Sequence, residues 1–495
     1  MEGMLLSVVV VPVVLGFLAL LVPAHGPRRG LLLAGSAAHA AAVGFALVRT
    51  PPLRPGAWIG VDATGLLFLA ITSVLFAAVA VYTSGYLGRE SGRVVRDAEE
   101  GFSFSNKPEA VFVACLLFFL AAMSLVCISR DLGLLWVAIE ATTLVSAPLI
   151  SFHRHHRSLE ATWKYLLICS VGIAMALLGN YFLAFAGHGR VHLKLEDLLT
   201  HAAALDPIWL KAAFIMLLVG YGTKMGLAPM HNWLPDAHSE APSMVSTLLS
   251  GALLNCAFLG ILRGHAVLQA AGLGRFSGDL LIFFGLLSMA VAAVFLIRQT
   301  DYKRMLAYSS IEHMGILSLG VGIGGLAGSG AMLHALAHSL TKGMLFLCAG
   351  QLLHFYSTKT AADVRGALHR LPLTGLLWLA GLLAITGSPP FGLFISELTI
   401  LQGTLASGRW AVAVGYLAAL GIIFIAMARI VLPMVFGRDD QVEPAAGTAA
   451  ARPREALWYA LPALALGSGS LLLGLYVPAS AWHFLNRAAQ LAGGY

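Results

Sequence analysis

The stretch GYGTKMGLAPMHNWLPDAHSEAPS, Gly220 to Ser243, closes an apolar run that begins DPIWLKAAFIMLLV at Asp206. The run is long enough to lie in a membrane. It carries Lys224 near its end, at a depth where an ionisable group is costly and usually functional. Five residues on, Pro229 has no N–H to donate to the carbonyl of Met225, and Pro235 withholds the same bond from His231. The pattern predicts a helix broken inside the membrane with a cation at the break, an arrangement suited to an ion path. A lysine at a helix end can also snorkel to the headgroups, but the Pro-rich break and His231 beside it favour the path.

Working outward, the composition excludes an ordinary soluble domain. Of 495 residues, 58% are hydrophobic and only 11% charged, with a mean hydropathy of +0.83, which is the signature of a polytopic membrane protein whose solvent is the lipid bilayer. Lys and Arg outnumber Asp and Glu, 31 to 24, yet the excess sits in short loops between apolar runs, as the positive-inside rule requires, so no nucleic-acid partner is expected. Cys115, Cys127, Cys169, Cys256 and Cys348 each stand alone in an apolar run. None has the close spacing of zinc or iron–sulfur ligands, and no cofactor or metal is expected in this chain. The N-terminus, apolar from Met4 to Val22, lacks a basic leader and a cleavage site and reads as a retained span.

Apolar runs long enough to cross a bilayer number about fourteen. Alternating the loops puts the more basic ones inside when both termini are outside. These inside loops include Arg28 and Arg29, Arg89 to Lys107, HRHHR at His153 to Arg157, RQTDYKR at Arg298 to Arg304, and Arg438 to Arg454. Three cations fall in no loop: Lys224, Lys342 and Arg429, the last near a span end and read as an anchor. Lys342 ends HALAHSLTK, where His334, His338 and Lys342 repeat at i, i+4, i+8 and share one helix face, as a proton relay would need.

Two acids are also deep. Glu140 lies mid-span in LLWVAIEATTLVSAPL, and Glu397 follows a second break in GSPPFGLFISELTIL, where Pro389 and Pro390 deny bonds to Ile385 and Thr386. The breaks have opposite electrostatics: Lys224 closes a half-helix whose C-terminus favours a cation, while Glu397 enters one whose N-terminus favours an anion. Glu312 and His313 in AYSSIEHMGIL, with Lys164 in EATWKYLL, extend the series, Lys164 being close enough to a span end to snorkel.

The order of these features suggests a duplication. A three-helix segment, 1–108, precedes five-helix repeats at 109–265 and 266–436, and a loop with a C-terminal helix fills 437–495. Five is odd, so the second repeat enters the membrane inverted, with broken helices seventh and twelfth in the chain. GIGGLAGSG at Gly322 has no strand before it and is no dinucleotide fingerprint.

Trp136 to Glu140, TKMGLAPMHNWLPDAHSEAPS, DYKRMLAYSSIEHMG, HALAHSLTKGMLF and FGLFISELTIL together resemble the antiporter-like proton-translocating subunits shared by respiratory complex I, cation/proton antiporter complexes and group 4 [NiFe] hydrogenases. The branch it is most similar to is the hydrogenase-4 component F type, then the complex I M type. The resemblance implies an all-α fold of fourteen membrane helices with charges along the midplane. It makes Glu140 the fifth-helix glutamate, Lys224 the seventh-helix lysine, His334, His338 and Lys342 the eleventh-helix relay, and Glu397 the acid of the twelfth. Asn255 stands in SGALLNCAFLG where complex I subunits usually carry a linking lysine; it can hold water but not the charge.

The expected function is proton translocation as a subunit of a redox-driven complex. Lys224 would load from inside under control of Glu140, the proton would cross by Asn255-associated water, His338 and His334 to Lys342, and Glu397 would release it outside. Other membrane subunits, and through them peripheral [NiFe] or quinone-reducing iron–sulfur subunits, are the implied partners in a bacterial-type cell membrane. A stand-alone cation/proton antiporter, or a structural subunit with reduced pumping, is the alternative.

Overall fold

The computed structural model describes residues 2–54, 56–90, 94–96, 103–438, 455 and 457–493. Parts of the basic loops at 89–107 and 438–454, including Arg93, Arg452 and Arg454, lie outside the described residues. The chain is an all-helical, multi-pass membrane protein. Three helices come first: α1 (Glu2–Leu21), α2 (His25–Val48) and α3 (Ala63–Glu90). A short hairpin, β1 (Val94–Arg96) with β2 (Ser103–Ser105), joins them to the rest.

Next come α4 (Glu109–Ile128), α5 (Leu132–Ile150), α6 (His156–Ala186), the surface turn α7 (Leu195–Thr200) and α8 (Pro207–Met225). After the break follow α9 (Trp233–Glu240) and a membrane helix of two parts, α10 (Ser243–Leu248) and α11 (Leu254–Ala270), joined by a π-turn at Leu249–Leu253. The second half holds α12 (Gly274–Leu296), α13 (Tyr302–Ile323), α14 (Gly325–Tyr356), the short α15 (Ala367–Arg370), the two parts α16 (Pro372–Ile385) and α17 (Gly392–Ala406), and α18 (Trp410–Phe436). Two helices, α19 (Leu457–Leu475) and α20 (Ala479–Leu491), end the chain.

Aspartates set several helix starts. Asp131 accepts from the N–H groups of Gly133 and Leu134, Asp206 from Ile208 and Trp209, and Asp301 from Lys303 and Arg304, so each caps orphan donors of the helix it precedes. Eleven helices among the described residues are long and apolar enough to cross a membrane. The expected fourteen is not reached by length and hydropathy alone, and the reason is physical. Helices α13 and α14 have the length but carry Glu312, His313, His334, His338 and Lys342, and α16 and α17 are separate short apolar halves.

The outward faces are apolar. On α6, Trp163, Leu167 and Val171 repeat every four residues and are 63%, 62% and 65% exposed, a stripe that suits lipid. The polar groups turn inward. Helix α14, 32 residues long, is buried along most of its length between α13, α16, α17 and α19. Close approach of α12 to α13 depends on small residues: a Cβ on Gly315 would lie 2.6 Å from the carbonyl oxygen of Gly285, and one on Gly285 2.7 Å from that of Gly315. That contact holds Glu312 and His313, next along α13, at a fixed depth.

Candidate functional site

Lys224 is fully buried in the last turn of α8. The helix ends on Gly226 in the left-handed region (φ 83°), and Leu227 N–H reaches Gly222 O at 2.9 Å. A Cβ at Gly226 would meet Leu234 at 2.4 Å, so both the turn and the packing need glycine. The carbonyl of Thr223 accepts from Trp233 Nε1 at 2.8 Å, and Ala228 N–H donates to Ser288 Oγ at 2.9 Å, which satisfies backbone groups freed by the break. Pro229 thus breaks the helix as expected, but Pro235 does not. It lies in the first turn of α9, where its missing N–H would have had no intrahelical partner.

The ammonium of Lys224 donates to Thr143 Oγ1 at 2.8 Å and to Tyr165 OH at 2.6 Å, and sits 4.4 Å from the Tyr165 ring centre. Thr143 Oγ1 in turn donates to Glu140 Oε2 at 3.3 Å, and Ser170 Oγ donates to Glu140 Oε1 at 2.9 Å. Lys224 and Glu140 are therefore joined through one hydroxyl and make no direct ion pair. Ser146 Oγ donates to Thr142 O at 2.6 Å, so it accepts from Tyr165 OH at 2.7 Å, leaving the phenol oxygen to receive the lysine. Glu140 is only half-buried, and its neighbours along the helix, Val137 and Leu144, face out of the chain.

The second cluster is deeper. Lys342 donates to Leu306 O at 2.5 Å and to Ser309 Oγ, both on α13, the helix that also carries the buried Glu312. His313 and His334 form a pair, Nδ1 to Nε2 at 3.0 Å. Ser396 Oγ donates to Leu393 O at 2.8 Å and so accepts from His334 Nδ1 at 2.9 Å. That bond assigns the proton of His334 to Nδ1 and turns the lone pair of its Nε2 toward His313 Nδ1. His338 lies against both rings, its centroid 4.9 Å from His313 and 6.4 Å from His334. Neither nitrogen of His338, nor His313 Nε2, Glu312 Oε2 or Glu397 Oε1, has a hydrogen-bond partner among the described residues. Buried polar atoms with spare hydrogen-bonding capacity are uncommon inside proteins, and each calls for an explanation.

Glu397 lies beside the second break. A Cβ on Gly387 (φ 62°) would fall 1.9 Å from its Oε2. Because Glu397 is in the second turn of α17, the helix dipole, which fades within the first turn, does little for it. Lys224, in a last turn, keeps the benefit expected of it. Between the clusters, Leu254 N–H reaches Leu249 O in the π-turn, and Gly251 O accepts instead from Asn255 Nδ2 at 2.8 Å and Ser339 Oγ at 2.8 Å. Asn255 Nδ2 also donates to Ser339 Oγ at 2.9 Å, so it touches α14 between His338 and Lys342.

Lys342 is two turns from His334, and His334 is the histidine that shares a cluster with Glu397. Along the helix the residues therefore lie in the order Lys342, His338, His334, with His313 and Glu397 gathered at the His334 end. Lys164 lies outside this line: it is 46% exposed and pairs with Glu160 at 2.7 Å and Asp236 at 3.1 Å. His231 is buried in the first break against Phe295 and Tyr308, with Nδ1 unpartnered among the described residues.

Several groups escaped the sequence reading. Thr143 is three residues from Glu140 and Tyr165 is next to Lys164, so helical spacing could have found the first and had no means of finding the second. His238, within the opening motif, is fully buried and stacks 4.9 Å from Phe346, one turn past Lys342. Lys303, read as a loop charge, is buried and donates to Ser239 O at 3.0 Å and Ala241 O at 2.6 Å, capping the C-terminus of α9. Nearby, burial and then the neighbouring His155 and Lys303 hold the ring of His153 down to about 3, so it adds no charge to its loop. A cavity of about 280 Å³ opens on this side among Glu240, Lys303, Lys359, His153 and Ser239.

Residues 129–423 match the family model for the NADH:quinone oxidoreductase/Mrp antiporter transmembrane region. The chain is 37% identical over 395 residues to the hydrogenase-4 component F homolog of Methylacidiphilum infernorum, covering 78% of this chain and 81% of that one. Among solved structures it is similar to a chain of the membrane-bound sulfane sulfur reductase, an archaeal respiratory membrane complex, with a TM-score of 0.86 at 20% identity over 99% and 98% of the two chains. A chain of respiratory complex I from Thermus thermophilus gives a TM-score of 0.75 at 25% identity, over 95% and 97%.

Proposed function

Because the chain belongs to the NADH:quinone oxidoreductase/Mrp antiporter transmembrane family, we propose that it moves protons across the membrane along the line from Glu140 and Lys224 to Glu397. It is an antiporter-like membrane subunit of the hydrogenase-4 and complex I type, and its relatives are subunits of multi-subunit membrane complexes. The observation that carries the path is the chain Lys224–Thr143–Glu140, a buried cation linked to a half-buried carboxylate through one hydroxyl that accepts from the first and donates to the second. When the carboxylate draws close, the ammonium stays charged; when it withdraws, the low-dielectric site favours release of the proton.

The released proton passes by Tyr165 and Ser146 or by water held at Asn255 and Ser339 toward Lys342, which Glu312 balances as Glu140 balances Lys224. His338, then His334 and His313, hand it to Glu397, from which it leaves outside. The two halves correspond as inverted repeats, 109–265 and 266–436, with Glu140 matched to Glu312 and Lys224 to Glu397. Each proton driven against the potential costs about 2.3 kcal/mol per 100 mV. That energy comes from electron transfer in partner subunits, of the [NiFe] hydrogenase or quinone-reducing type. The half-exposed face of α5 around Glu140 suits a neighbouring membrane subunit, through which the redox state can act on the carboxylate. We place the chain in a bacterial-type cell membrane with both termini outside.

The test is reconstitution of the complex with Lys224→Ala or Glu140→Gln. Proton transport should fall well below the wild-type ratio to electron transfer in both; an unchanged ratio would sink the assignment.

A further inference from the structure

The histidine pair and Glu397 make more than a stretch of proton path. His313, His334 and Glu397 are all buried, and each can offer one ligand atom so that the three lie within 4.8 Å of one another. The facing nitrogens of the two imidazoles are 3.0 Å apart. Two nitrogens at about 2.0 to 2.1 Å from one zinc in a tetrahedral shell stand only a few tenths of an ångström farther apart than this. Ser396 pins His334 with its proton on Nδ1, leaving the Nε2 lone pair facing the cluster, as a second-shell partner of a metal-bound histidine does. His313 needs only to carry its proton on Nε2 to present Nδ1. The carboxylate supplies the third atom and one negative charge. Its Oε1 and His313 Nε2 have no partner among the described residues, although both residues are buried, so the cluster is built with unused polar capacity.

We propose that His313, His334 and Glu397 form a binding site for a divalent transition-metal ion, Zn²⁺ above all, and that its occupation closes the second half of the path. Two imidazoles and one carboxylate suit Zn²⁺, Co²⁺ or Ni²⁺ and not Mg²⁺ or Ca²⁺, which prefer all-oxygen shells. Glu397 is 6% exposed, so the ion reaches the site along the route by which a proton leaves. The binding half of the inference stands on geometry alone; the closing half rests on the proton path proposed above.

The experiment uses the intact complex in detergent and in proteoliposomes. Equilibrium dialysis with Zn²⁺, and the visible ligand-field bands of Co²⁺ as a readout of tetrahedral N/O coordination, compare wild type with His334→Gln, Glu397→Gln and His265→Gln. His265 is an equally buried histidine, bonded to Ser277 and outside the cluster. One ion per copy of this chain should bind to wild type and to His265→Gln, and loss of either ligand should weaken binding by at least ~10-fold. Glu397→Gln keeps the shape of the side chain and carries the test if His334→Gln fails to fold. Binding that is indifferent to both substitutions, or no tetrahedral Co²⁺ spectrum, overturns the site. External Zn²⁺ should slow proton flux in wild type. Stoichiometric binding with undiminished flux would keep the site and refute the relay through it.

Discussion

Replacing Thr143 with valine removes one hydroxyl and almost no volume from the only link between Lys224 and Glu140 among the described residues. The hydroxyl does two things: it accepts from the lysine at 2.8 Å and donates to the carboxylate at 3.3 Å. A hydrogen bond to a charged group is worth about 1.5 to 3 kcal/mol, the shorter lysine bond carrying most of that here. Each 1.4 kcal/mol is about tenfold in a rate or equilibrium. Thr143→Val should therefore slow proton loading at Lys224 by about 10- to 100-fold. Thr142→Val is the control, since Thr142 Oγ1 bonds only to Ile139 O at 2.6 Å and does not touch the lysine. The assay is proton uptake by proteoliposomes at a fixed rate of electron transfer. Thr143→Val should uncouple the two and Thr142→Val should not. Full coupling in Thr143→Val would refute the idea that the hydroxyl carries the signal between the acid and the base.

Three further outcomes follow from the geometry. Gly387→Ala places a Cβ on the carboxylate of Glu397 in a backbone conformation that alanine resists, so proton release should fall while electron transfer by the complex persists, measured as the pumping ratio. Asp62, just before α3, receives Arg263 through both oxygens at 2.6 and 2.9 Å and Arg130 at 2.6 Å; Asp62→Asn leaves a buried guanidinium underpaired and should cost about 3 kcal/mol, read as a lower Tm. Burial alone would raise that carboxyl, but Arg263 and then Arg130 bring it from 3.8 down to about 2, so its stabilisation is complete above about pH 4 and is lost as pH falls toward 2. The Tm gap between wild type and Asp62→Asn should close across that window, and a gap that persists would mean the ion pair is not its source.

The breaks and the buried charges were legible because each has a local cause. Proline removes a bond wherever it falls past the first turn of a helix, and Lys224, Glu140 and Glu397 announce themselves against an apolar background. What the chain hides is adjacency between helices. Thr143 and Tyr165 look like ordinary span residues until α5, α6 and α8 bring them under one ammonium. Lys303 sits in a basic loop motif, yet packing against α9 buries it as a cap. The i, i+4, i+8 stripe likewise fixes which residues share a face of α14 but not which end meets Glu397. Hydropathy fails on α13 and α14 because their buried charged and histidine residues lower the apolar average.

The central claim is that Glu140 and Lys224 act as one unit, and a double-mutant cycle on the reconstituted complex tests it most directly. Proton-to-electron ratios would be measured for wild type, Glu140→Gln, Lys224→Ala and the double variant. Groups that work as a unit are strongly non-additive, so the double variant should lose no more than the worse single one. Losses that multiply, as for two independent steps, would contradict the account.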